Sequence, residues 1–375
     1  MIYADYAATT PVDKDVLQQM CDCFNNDFAN ASSIHTFGRN SARIIENARK
    51  NIASIINADK NEIYFTSGGT ESDNWALQGV IEATGKKHII TSCVEHHAVL
   101  NCCKALEKKG IRVTYLPVDK FGKIDIELLK QSICEDTALI SIIMANNEIG
   151  TIQDIDLIGQ LAKENNILFH TDAVQAVGNV NIDVKKSNIS LLSASAHKFY
   201  GPKGIGFLYI KNGTKISNVL FGGSQERDKR PGTSNTPLIV GLDTALKKAY
   251  DNLEINNETV INRSKTVIDI IKKEIPDAIF NGDPVDRLKG NISVSFLNVQ
   301  SEGLLVILDT MGIAVSAGAA CSAGAVKISH VIQAINENAQ NYGTIRISLS
   351  HLTTHEEAVI IGESVVKAVK NLIEK

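Results

Sequence analysis

In the stretch SASAHKFYGPKGIG (193–206), Lys198 follows the run SLLSAS, which reads as a buried strand, and precedes a glycine–proline turn. A lysine amine in a low-dielectric pocket gives up its proton more readily than in water and becomes a nucleophile toward carbonyls. Asp172 ends a second such run, in ILFHTDAVQAVG (167–178). A carboxylate there needs a partner or takes up a proton, although capping a helix is an equally simple use for it. After a third run, EIYFTS, comes GGTESDN. Glycines between a strand and a helix, with Gly69 in the turn and Thr70 at the cap, bring backbone N–H groups close to an anion; a plain turn with a capped helix is the alternative. An amine, an anion and a phosphate cradle form the set that pyridoxal 5′-phosphate requires, so Lys198 is the expected anchor of that cofactor.

Other strand ends carry weaker signals. CVEHHAVL follows the run HIITS. Adjacent His96 and His97 cannot share a helix face, so at most one of them points into a site. MANNEIG, after ALISII, places Asn146, Asn147 and Glu148 in a row, suited to hydrogen bonding or to a turn. Arg346 lies in the short strand TIRISL, where an arginine among apolar residues wants a planar anion. A substrate carboxylate and an internal salt bridge both satisfy it. Cys321 sits in VSAGAACSAGAVKISH (315–330), a run of alanine, glycine and serine with little to bury. A thiol in that setting suits delivery of reactive sulfur better than packing.

The elements that must position these groups alternate over the first 210 residues or so. Strand-like runs fall at 62–67, 88–92, 112–116, 138–143, 167–171, 190–195 and 206–210. Helical periodicity lies between them, as at 70–84 and 156–165. Such alternation predicts a mostly parallel sheet covered on both faces, with ligands beyond the carboxyl ends of the strands. After about residue 245 the pattern changes to a long helical region (236–274), strands at 291–297, 313–317 and 344–349, and a last amphipathic helix. The expected division is a large domain at 12–245 and a smaller α/β domain at 246–375, with residues 1–11 packing on the latter.

Composition narrows the function classes. Apolar residues make up 44% and charged residues 21% of the 375, with a net charge of −4. That gives no field for direct nucleic-acid binding. No apolar run approaches the ~20 residues that span a bilayer, and MIYADYAATTP has no secretory pattern. A cytoplasmic enzyme is expected. The seven cysteines are odd in number and lack paired C-x-x-C knuckles, so neither a disulfide framework nor a metal site is expected.

Taken together, these stretches resemble the class V aminotransferase-fold cysteine desulfurases of the NifS/IscS type. The resemblance runs from YADYAATTP (3–11) through FTSGGTESDN, EHHAVL, NNEIG, TDAVQAVG, SASAHKFYGPKGIG and GGSQERDKRPGT (222–233) to the Cys321 segment and RISLS (346–350). NASSIH (30–35) and RPGT (230–233) depart from the family's usual wording without removing a reactive group. The resemblance implies pyridoxal phosphate fold type I, aspartate aminotransferase-like, with a mostly parallel mixed seven-stranded sheet and a smaller α/β C-terminal domain. It implies that Lys198 holds the cofactor, Asp172 pairs with its ring nitrogen and Gln175 touches its phenolic oxygen. It further implies that His96 stacks on the ring and moves a proton. Gly69, Thr70, Ser195 and His197 would bind the phosphate, joined by Thr233 from the other subunit of a homodimer. Asn147 and Arg346 would hold the substrate carboxylate. Cys321 would take sulfur from L-cysteine as a persulfide, leaving L-alanine. A sulfur-acceptor protein, either an iron–sulfur scaffold or a tRNA-thiolation sulfurtransferase, would then receive it. A selenocysteine lyase, or another fold-type I β-lyase or aminotransferase, is the alternative.

Overall fold

The computed structural model describes residues 1–318 and 328–373. Its larger sheet has seven strands in the spatial order Ile63–Thr66, Gly206–Ile210, Leu191–Ser195, Leu168–Asp172, Thr137–Ser141, His88–Ser92 and Arg112–Leu116. The last five run parallel; Gly206–Ile210 is antiparallel to both of its neighbours. The central strands are apolar, β-branched or small at nearly every position and are buried throughout, as a sheet clad on both faces requires. One core cluster packs helices Lys14–Asn26, Thr36–Ile55, Ile155–Glu164 and Thr236–Asp251 on one side, through Ile52, Phe169, Phe207 and Leu242. A second cluster covers the other side through Trp75, Val80, Val99 and Leu208.

Each expected strand of this sheet forms, with ends shifted by no more than two residues. The region 236–274 breaks into Thr236–Asp251 and Leu253–Glu274, because Asn252 closes the first helix. Thr70 does not cap its helix. Helix Gly69–Thr84 begins one residue earlier, and its N-cap is Gly68 at φ 152°, a backbone conformation that favours glycine.

A separate antiparallel sheet orders Tyr342–Ser348, Asn291–Leu297 and Ile279–Asn281. Its core includes Val267, Ile292, Phe296, Leu304, Ile345 and Ile361, with helix His355–Ile373 across it. Strand Ile279–Asn281 has three residues and ends on a polar one, too little to signal itself in sequence. Strand Ile313–Ala314 is shorter than expected and pairs in parallel with Ile2–Tyr3. The first residues therefore join this part of the molecule, and Ala4 belongs to its core. Residues 7–10 turn the other way, onto the segment that carries Lys198.

Candidate active site

A cavity of about 290 Å³ opens beyond the carboxyl ends of the parallel strands. Strand Leu191–Ser195 runs into a single 3-10 turn, Ala196–Lys198, which takes the chain out of the sheet and leaves Lys198 on the cavity wall before the return strand begins at Gly206. Lys198 Nζ donates to the carbonyls of Ala7 (2.6 Å) and Ala8 (2.9 Å). Gln175 Nε2 also donates to the Ala7 carbonyl, at 2.8 Å. The N-terminal segment thus aims two of the expected site residues. These backbone contacts have no sequence signature beyond the small residues of YADYAATTP.

Asp172 ends its strand as expected and lines the cavity, with Oδ1 accepting the Val174 N–H at 2.9 Å. No helix follows: the carboxylate caps a turn at 174–179, not a helix, while it lines the cavity. Burial raises its affinity for a proton, while His96, the Val174 N–H and Lys198 oppose that rise. His96 is the N-cap of helix His97–Glu107, in extended conformation (φ −62°, ψ 149°), and its Nδ1 accepts the Ala98 N–H at 3.1 Å. In the neutral ring the proton is therefore on Nε2. Burial chiefly, with Lys198 and His97 adding to it, favours that neutral form against the pull of Asp172. The expectation that only one of His96 and His97 faces the cavity is not met, since both border it. The helical spacing rule does not govern a cap residue in extended backbone. His97 sits at the rim, edge-on to His330 at 4.9 Å between ring centres.

The anion end is built on helix Gly69–Thr84. No side chain caps this helix, so its first N–H groups stay available. A Cβ on Gly69 would come within 2.5 Å of Val174 Cγ2, and one on Gly68 within 3.4 Å of Ser195 Oγ. At 69 only glycine avoids that clash, and at 68 it is the φ of 152° that favours glycine. Gly69, Thr70, Ser195 and His197 all line the cavity. His197 Nδ1 lies 3.2 Å from Thr9 Oγ1. Burial, then the Lys198 and Lys203 ammonium groups, pushes its pKa down to about 4.

At the opposite end, Arg346 is 3% exposed and its Nη2 pairs with Asp5 Oδ1 at 2.7 Å. Nη1 donates to the Asn147 carbonyl at 3.0 Å, and Nε has no partner among the described residues. The internal salt bridge is thus present, with a donor to spare. Asn146 shapes the turn, accepting the N–H groups of Glu148 and Ile149, while Asn147 lines the cavity. Glu148 is buried there and accepts from Ser329. Two acids that sequence reasoning passed over, Asp73 and Glu95, also belong to the lining, as does Glu148 of the MANNEIG turn. Each of the two sits in a stretch that was singled out for other residues, and only tertiary placement turns it inward. Thr233 is exposed and does not line this chain's cavity. Cys321 lies outside the described residues.

The donor set fits pyridoxal phosphate. It offers an amine on Lys198, a buried carboxylate on Asp172, and a glycine-floored helix N-terminus for the phosphate, all on one cavity. The sequence pattern of the family Aminotransferase class-V matches residues 2–360. The Cysteine desulfurase IscS of Clostridium botulinum is 47% identical over 374 residues, covering 98% of this chain and 94% of the relative. Among solved structures, a NifS-like protein superposes with a TM-score of 0.92 at 35% identity, covering 99% of this chain and 100% of the other. SspA in complex with cysteine gives a TM-score of 0.80 at 36% identity, covering 93% and 99%. Likeness over nearly the whole of both chains, at such identities, makes this chain a member of the class-V aminotransferase family, on its cysteine desulfurase branch.

Proposed function

We propose that the protein works as a pyridoxal phosphate-dependent cysteine desulfurase. It converts L-cysteine to L-alanine and serves iron–sulfur cluster biogenesis. The observation that carries this reading is the convergence of Lys198, Asp172 and the Gly69 turn on one cavity whose far end presents Arg346. Pyridoxal phosphate, when bound, supplies an electron sink that makes the α-proton of an amino acid removable.

In this reading the chain's own groups divide the remaining duties. Lys198 holds the cofactor and receives the α-proton on its amine. Asp172 carries the negative charge that faces the ring nitrogen, and Gln175 contacts the phenolic oxygen. Gly69, Thr70, Ser195 and His197 hold the phosphate. Neutral His96 stacks on the ring and helps to move the substrate thiol proton, accepting it on Nδ1 once that nitrogen is released from the Ala98 N–H. Asn147 and Arg346 orient the substrate carboxylate, with the Nε donor to spare. Cys321 attacks the substrate sulfur as a thiolate. The carbon–sulfur bond breaks, a sulfur–sulfur bond forms on Cys321, and alanine leaves. A sulfur-acceptor protein, an iron–sulfur scaffold or a tRNA-thiolation sulfurtransferase, then takes the terminal sulfur.

The reading includes a homodimer in which Thr233 completes the phosphate site of the other subunit. Its exposure, together with the exposed Phe28, Ile34, Phe37 and Phe221, supports that arrangement. We place the two units at 12–245 and 246–375, with Ile2–Ala4 packing on the second and residues 7–10 on the first. Among the described residues no helix is long and apolar enough to cross a membrane. The cysteines described are all free, in keeping with a reducing cytoplasm.

The test is product analysis with L-cysteine and a thiol reductant, on wild type, Cys321→Ala and Lys198→Ala. Alanine and sulfide from the wild type alone are expected. Pyruvate in place of alanine, or an unimpaired Cys321→Ala, would overturn the reading in favour of a β-lyase.

A further inference from the structure

Three carboxyl groups face the inner end of the cavity, and the reading above employs one of them. Asp73 comes from helix Gly69–Thr84, Glu95 from the turn after strand His88–Ser92, and Asp172 from its own strand end. Asp73, His96 and Asp172 each present one atom within 4.8 Å of the other two. Asp73 and Glu95 are each about 1% exposed. Asp73 Oδ1 and Glu95 Oε2 have no hydrogen-bond partner among the described residues. The nearby base does not balance them. His170 Nε2 lies 3.6 Å from Asp73 Oδ1, but that ring is bonded at both nitrogens, to Ser141 and Ser193. Burial pushes its pKa down to about 3, so it brings no positive charge.

The same cavity must also receive two anions, a phosphate at the Gly69 turn and a substrate carboxylate near Arg346. Three further negative charges at its inner end would repel both. Two ionised carboxylates about 5 Å apart in a protein interior displace each other's titration by about two pH units.

We propose that Asp73 and Glu95 are positioning residues for Asp172, held as neutral carboxylic acids so that Asp172 is the single ionised carboxylate of the three facing the ring nitrogen. This rests on the reading that Asp172 is the ring-nitrogen partner. Burial, then repulsion from Asp172, raises the pKa of Asp73 well above the usual carboxylate range, opposed by Ser193. Burial likewise takes Glu95 up to about 8, despite bonds from the Ser92 hydroxyl (2.6 Å) and the Ile143 N–H (2.9 Å) to Oε1. Asp172 differs in having His96, a backbone N–H and Lys198 to favour its charge. Asp73 therefore stores a proton beside His96 without competing for the cofactor.

The test uses the cofactor-loaded enzyme and two readouts besides turnover. Difference infrared spectroscopy at neutral pH is expected to show the carbonyl stretch of two protonated carboxylic acids. Asp73→Asn should remove one and Glu95→Gln the other. In the wild type, with no substitution at all, the Glu95 signal should fade as pH passes about 8. The visible band of the bound cofactor should titrate in Asp73→Asn and Glu95→Gln within about half a pH unit of wild type, because an amide reproduces a neutral acid. Asp73→Leu, which removes the polar group, should move it further. Absence of the infrared signals at neutral pH, or a downward shift of about two units in either amide variant, would overturn the proposal. Asp172→Asn that leaves the visible band unmoved would overturn the reading of Asp172, and the positioning role with it. Infrared signals retained in that case would show that protonation was not what failed.

Discussion

At the level of single side chains, Arg346 carries a structural bond and, in the proposed function, a binding role in one group. Its guanidinium is fixed by Asp5 and by the Asn147 carbonyl, which leaves Nε as a donor in fixed orientation. Arg346→Lys keeps the charge but loses the planar fork. The expected result is a KM for L-cysteine raised on the order of tenfold to a hundredfold, with kcat changed far less, read from steady-state alanine formation. Asp5→Ala leaves a buried cation short of its partner. It should cost about 2 kcal/mol in denaturant unfolding and raise KM in the same direction. Lys198 and Asp172 were legible from sequence because a charged residue directly after an apolar run has few explanations. Asp73 was not, because in GGTESDN it reads as one more polar residue of a first helical turn. Nothing in that spelling says the turn faces inward. Asp5, and the Ala7 and Ala8 carbonyls, act across about 190 to 340 residues of chain, a separation that local pattern does not reach.

The elements themselves were legible where they are buried on both faces. The runs at 88–92 and 206–210 form strands over just those residues, since an uncharged run buried at every position has only a two-sided sheet to satisfy it; the half-buried edge run at 112–116 does so as well. Short edge pieces such as Ile279–Asn281 and Ile2–Tyr3 were not, because two or three residues carry no period. Close backbone approach is the element-level feature on which the site depends. A Cβ on Gly206 would meet Ala194 O at 2.3 Å and Gly68 Cα at 2.8 Å, so the antiparallel strand and the anion turn touch with no side chain between them. Gly206→Ala should force the two apart, lowering stability by about 1–3 kcal/mol. It should also weaken phosphate-end binding, measured as a raised Kd for pyridoxal phosphate in a fluorescence titration. An unchanged Kd alongside the stability loss would show that the turn is positioned independently of that strand.

For the whole molecule, stability against pH and assembly are the properties to measure. Glu95 has a pKa raised from 4.5 to about 8 in the folded protein. Between those values the folded state keeps a proton that the unfolded state has lost, so stability falls as pH rises through that window and levels off above it. Glu95→Gln removes the dependence. Its melting temperature relative to wild type should therefore climb steadily from pH 5 to about 8. Phe37 and Phe221 are 63% and 85% exposed. The 222–233 segment is tied to helix Thr36–Ile55 by Glu226, whose carboxylate holds Arg49 at 2.8 Å. Phe221→Asp should yield a monomer in light scattering and, through loss of Thr233 from the neighbouring site, lower cofactor occupancy. A dimer retaining full occupancy would rule that interface out. The first ten residues hold on to both halves of this architecture at once. Ile2–Tyr3 pair with Ile313–Ala314, a few residues before the segment that bears Cys321, and Ala7–Ala8 receive the Lys198 ammonium. One short ribbon is thus stitched to strand Ile313–Ala314 and to the turn that carries Lys198. Amide exchange along Ile2–Ala4 then becomes a strain gauge, reporting at one end of the ribbon what happens to the amine at the other.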